Sequence, residues 1–77
     1  MIPAIGSTVS FVRPDRHPSF LNRYTGKVVE IVDGREPIAV IEVETFYVWH
    51  PDHPENGREM IYMSGPVAEL ISELEVL

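Results

Sequence analysis

The stretch Ile38–Trp49 constrains this chain more than any other. Pro37 cannot donate a ladder hydrogen bond and fixes its start; twelve residues rich in β-branched and aromatic side chains then follow without a glycine or proline. At roughly 3.3 Å per residue, such a strand spans about 40 Å. A chain of 77 residues has no straight side that long to offer, so the strand must bend. Strict alternation places Ile41, Val43, Tyr47 and Trp49 on one face and Glu42, Glu44 and Phe46 on the other.

The segments around it read as shorter strands. Thr8–Arg13 alternates polar and apolar behind a Gly6-Ser7 turn signal, as a half-buried strand does. Pro14–Asn22 mixes prolines, Asp15, Ser19 and Asn22 and reads as a long loop pinned by Phe20. Tyr24–Val32 is a second strand, with Gly26 marking a bulge or a close backbone approach. Asp33-Gly34 signals a tight type I′ hairpin, whose central positions both need positive φ. After Trp49, residues His50–Gly57 read as a loop with an Asn56-Gly57 turn pair, and Arg58–Met63 as a fourth strand.

At the end of the chain the period changes. Val67, Leu70, Ile71 and Leu74 follow helical spacing behind Pro66, which predicts a short amphipathic helix. Val76-Leu77 either extends its stripe or adds a last strand. Four to five hairpin-linked antiparallel strands, one of them long and bent, with a short C-terminal helix, are the parts of a small closed barrel. The expectation is a mainly β, SH3-like barrel filling residues 1–77 as one domain, because this length leaves no room for a second core.

The segment Tyr24-Thr25-Gly26-Lys27-Val28-Val29-Glu30-Ile31, followed by Ala39–Glu44, resembles the KOW motif, a Gly-x-Val-x-x-Ile strand with an apolar return strand. The likeness covers about residues 22–44. It implies an SH3-like fold with Gly26 at a bulge and Val28, Ile31 and Val43 in the core. It also implies contact with RNA or the transcription machinery.

Charge argues for a different partner. The formal net charge is −6, which repels polyanions. Arg13, Arg16, Arg23 and Lys27 nevertheless face only Asp15 between residues 13 and 27. They form the candidate surface for a nucleic-acid-binding alternative, with Phe20 and Tyr24 for stacking. From Asp52 onward, Asp52, Glu55, Glu59, Glu69, Glu73 and Glu75 face only Arg58. A second alternative is therefore an acidic inhibitor of the mobile-element type, occupying the basic nucleic-acid groove of a host complex.

Catalysis and metal binding find little support in the sequence. No serine stands in a nucleophile elbow or beside a histidine, and no glycine-rich phosphate loop is present. The chain reads as non-enzymatic and without a cofactor. His50 and His53, with Asp52 and Glu55, supply nitrogen and oxygen donors for a divalent cation, but Pro51 and Pro54 forbid the helix that would align them. No metal is expected. Zero cysteines and the lack of a signal or spanning stretch suggest a cytoplasmic protein that does not enter membranes.

Seven aromatic residues are more than a core this small can hide. Phe20, Tyr24, Phe46 and Trp49 are thus the candidate anchors of a contact surface. The leading expectation is a small protein-binding module, an accessory or regulatory subunit or a homodimer.

Overall fold

The computed structural model describes residues 2–77. Six strands form one curled antiparallel sheet: β1 Thr8–Pro14, β2 Leu21–Val32, β3 Ile38–His50, β4 His53–Ile61, β5 Val67–Leu70 and β6 Glu75–Val76. The order across the sheet is β4-β3-β2-β1-β6, and β5 pairs with the first part of β3. The result is a half-barrel. No described helix is long and apolar enough to cross a membrane.

β3 is long enough to carry two neighbours along one edge. Its residues Ile38–Ile41 pair with β5, and Thr45–Val48 pair with β4, while β2 runs along its other edge throughout. The ladder between β2 and β3 contains two register shifts, one on each strand. Opposite β2, Glu44 is passed over between the pairs Thr25↔Thr45 and Gly26↔Val43, and Val29 between Val28↔Ile41 and Glu30↔Val40. Such extra residues increase local twist and curl the sheet. Gly26 sits at the first shift. A methyl group there would lie 2.7 Å from Val43 Cα and overlap the Glu42 carbonyl, so the strands approach as closely as they do because no Cβ intervenes.

The C-terminal segment departs from expectation. Residues 67–70 are extended and pair with β3, and the helix contracts to a single 3-10 turn, Ile71–Glu73. Helix nucleation is costly for a short segment with one apolar stripe, whereas the edge of β3 offers a row of backbone partners. Pairing of Ile38↔Leu70 through Ile41↔Val67, with the Ile71 amide donating to Pro37 O at 3.0 Å, satisfies those groups. The turn then carries the chain across to β1, where Val76 pairs with Val9 and the Leu77 amide donates to Thr8 O at 3.0 Å. Of the two readings of Val76-Leu77, the added strand is the one observed.

Both expected glycine turns differ as well. The β2–β3 connection spans residues 33–37, and among the described residues only Gly6 has positive φ, at 91°. Asp33-Gly34 therefore does not form a type I′ turn, since Pro37 delays the return strand and a longer link needs no left-handed pair. The expected loop His50–Gly57 shrinks to Pro51-Asp52, because His50 pairs directly with His53. Asn56 and Gly57 lie within β4, which ends at Ile61. Likewise β2 begins at Leu21, three residues before the expected Tyr24.

The core is one-sided. Val9, Phe11, Val28, Ala39, Ile41, Val43 and Ile71 are buried, with Tyr24, Ile31, Tyr62, Val67 and Leu74 packed against them. Burying each aliphatic side chain contributes roughly 1.5–3 kcal/mol. The buried set lies on β1, the middle of β2, the first half of β3 and the 3-10 turn.

Candidate functional site

The passed-over Glu44 decides where the aromatic rings point. Because side chains alternate with period two, one extra residue exchanges the faces of everything beyond it. Ile41 and Val43 face inward, opposite Val28 and Gly26, yet after the shift it is Phe46 and Val48 that share the inner face, opposite Tyr24 and Asn22. Tyr47 and Trp49 turn outward. The expected grouping of Tyr47 and Trp49 with Ile41 and Val43 is corrected accordingly.

On the inner face the rings form a continuous column. Phe11 stacks on Tyr24 with centroids 5.3 Å apart, Tyr24 stacks on Phe46 at 5.6 Å, and Tyr62 meets Tyr24 and Phe46 edge-on at 5.8 and 6.1 Å. Phe11 is buried; the other three are half-buried. At the far end of the column Asn22 is buried, donating through Nδ2 to Asp15 Oδ1 at 3.0 Å and to the Tyr24 hydroxyl at 3.2 Å. Its Oδ1 has no protein partner. The Asn22 bond, reinforced by the His17 amide, holds the Asp15 carboxyl below its ordinary value, since both donors favour the ionised form.

The outer face carries a different arrangement. Arg23, opposite Tyr47 in the ladder, lies over the Trp49 ring at 5.8 Å, and the Tyr47 and Trp49 rings are 5.9 Å apart. The Tyr47 hydroxyl donates to Pro54 O at 3.0 Å. A Cβ at Gly57 would overlap the Tyr47 ring, so Gly57 lets the ring lie flat over β4. Arg23, Tyr47, Trp49 and Pro54 enclose a shallow cleft of about 210 Å³.

A third cluster joins the two turns at one end of the sheet. Phe20 meets His17 edge-on at 5.1 Å and His50 at 5.5 Å, and His50 lies 5.9 Å from His53. Nδ1 of His17 accepts the Ser19 amide at 3.2 Å, and Nδ1 of His50 accepts the Asp52 amide at 3.1 Å. Each imidazole thus caps the turn made by its own His-Pro step. Among the described residues no group of three or more metal-ligating side chains converges.

Of the four anchors expected from sequence, the structure brings Tyr24 and Phe46 together on the inner face. It puts Phe20 with the histidines and Trp49 on the outer face. Tyr47 and Gly57 escaped the sequence reading, because the glycine looks like a turn signal until β4 is known to begin at His53.

The basic and acidic ends of the sequence meet in space. Arg13 Nε lies 2.7 Å from Glu69 Oε2, and its guanidinium also donates to Ala68 O at 2.8 Å. Arg23 is 3.7 Å from Glu75. Lys27 pairs across the ladder with Glu42, and together with Glu44 they line a further cleft. Arg16, on the β1–β2 loop, and Lys27 have no acidic side chain within 4 Å among the described residues. The separation by sign along the sequence is therefore offset in part, at Arg13–Glu69 and Arg23–Glu75.

No family model, curated protein or solved structure matches this chain.

Proposed function

We propose that this chain is a small non-catalytic protein-binding module of SH3-like form, acting as an accessory or regulatory subunit. The reading of the fold is supported by the long bent strand shared between two neighbours and by the 3-10 turn that leads into a last strand on β1. The function rests on one observation: the bulge turns Tyr47 and Trp49 away from the core and sets Arg23 beside them around an open cleft. Tyr, Trp and Arg are the residues over-represented where truncation costs most binding energy. Two aromatic rings at the surface also offer large contact area with few rotors to freeze. The chemistry fits an apolar side chain of the partner seated against Trp49, with a carboxylate nearby to replace the weak, exposed contact of Arg23 with Glu75.

The test is affinity capture from an extract of the native host, using the wild-type chain and its Trp49→Ala and Arg23→Glu variants. A protein retained by the wild type and lost by both variants, with unchanged circular dichroism, is the expected result. Identical captured sets from all three chains would remove the cleft from consideration.

A further inference from the structure

β4 is a strand without cover. Apart from Gly57, every residue of His53–Ile61 is exposed, and among the described residues β3 is its sole strand partner. Natural sheets blunt such edges with proline, charge or irregular pairing. The first half of β4 follows that rule, carrying Pro54, Glu55 and the register irregularity opposite Trp49. The second half carries Arg58 and Glu59 but has neither proline nor irregular pairing. Arg58–Ile61 is regularly paired to β3 and runs into exposed apolar side chains: Met60 is 46%, Ile61 73% and Met63 89% exposed.

The geometry points to a second copy of this chain as the occupant of that edge, paired antiparallel about a two-fold axis through Met60. Tyr62 turns its amide inward to Glu44 O at 3.0 Å. Alternation along a strand then aims the backbone groups of Met60 and Arg58 at β3 and leaves those of Glu59 and Ile61 facing the open side. A two-fold pairing must set residues of like parity opposite one another, which leaves few registers. Centring on Gly57 opposes Glu55 to Glu59, while centring on Arg58 or Glu59 opposes that charge to itself. Centring on Ile61 carries the ladder past the end of the strand.

Centring on Met60 avoids all of these conflicts. Glu59 and Ile61 of each copy then exchange both backbone hydrogen bonds with Ile61 and Glu59 of the other. On the inner face Met60 meets its counterpart, and Arg58 lies opposite the Tyr62 ring, a cation–π pairing. Because Met60 pairs with Phe46, the junction would join the aromatic columns of the two half-barrels into one apolar surface. This edge is distinct from the Trp49 cleft, so the two proposals stand or fall separately.

Sedimentation equilibrium from about 10 µM to about 1 mM tests the inference. The weight-average mass of the wild type is expected to rise from 8.7 kDa toward twice that value, with exchange of the Glu59 and Ile61 amides slowing as concentration increases. Ile61→Glu sets two carboxylates opposite each other and should abolish the rise. Ile61→Lys sets an ammonium opposite Glu59 and should preserve it. Ile61 is exposed, so both variants are expected to keep the monomer fold, which circular dichroism checks. A mass fixed at 8.7 kDa over the whole range overturns the proposal, as does an association that both variants spare or both destroy.

Discussion

The two halves of β3 share a strand and a neighbour yet live in different surroundings. Residues 38–41 lie between β2 and β5, and Ala39, Ile41 and the following Val43 are buried. Residues 45–50 lie between β2 and β4, and every one of them is half-buried. Backbone pairing runs along both, and each half contains one register shift. The difference lies in the covering layer: the segment from Val67 to Val76 crosses from β3 to β1 and encloses the first half alone. Strand pairing supplies form, but burial needs a second layer.

The sharpest way to break the contrast is a pair of truncations, one in each half. Ile41→Ala removes a fully buried side chain and should cost about 4 kcal/mol. Tyr47→Ala, half-exposed on the outer face, should cost about 1 kcal/mol. Chemical denaturation of both variants measures the difference, and equal losses would mean that the halves are not energetically distinct.

Gly26→Ala addresses the pivot between them. The added methyl meets backbone of Glu42 and Val43, which cannot swing aside, so a loss of about 3 kcal/mol is expected from thermal or denaturant unfolding. Gly57→Ala is the matching change in the open half. There the obstacle is the Tyr47 ring, which can rotate away, and the loss should stay near 1 kcal/mol.

A smaller effect is expected where the C-terminal segment is tied to the sheet. Arg13 is 41% exposed and Glu69 15%, so solvent screens the pair. A double-mutant cycle with Arg13→Met and Glu69→Gln should return a coupling under about 1 kcal/mol, shrinking in high salt.

The smallest effect concerns pH. Asp15 has its folded pKa lowered, by Asn22 first and the His17 amide second. Its stabilising contribution is therefore present above the ordinary value of 3.8 and is lost as pH falls through the lowered folded value. Asn22→Ala should move the Asp15 titration midpoint upward, as followed by NMR of its side-chain carboxyl. An unmoved midpoint would show that Asn22 is not the donor that matters.

Much of the strand content was legible because its signals are local. Thr8–Arg13 alternates, and Val9 and Phe11 are buried as that pattern requires, although Ser10 is buried beside them and Val12 is exposed. Gly26 was marked as a close approach, and Pro37 as the residue before the long strand. The C-terminal stripe misled because Val67, Leu70, Ile71 and Leu74 satisfy helical spacing equally well as four apolar contacts on an extended segment that turns once. Asn56-Gly57 misled because a glycine that opens a turn and one that admits a neighbouring ring look alike in one dimension. The candidate site was legible only in its residue types: surplus aromatics and an arginine beside them.

By itself, the sequence determined that this chain forms β-strands, that the longest must bend, and that some aromatic rings must reach the surface. Those follow from side-chain period, proline chemistry and chain length. Which rings face outward was decided by the tertiary structure. A bulge is a property of two strands in register, so the extra Glu44 that reverses the faces of β3 exists only once β2 lies beside it.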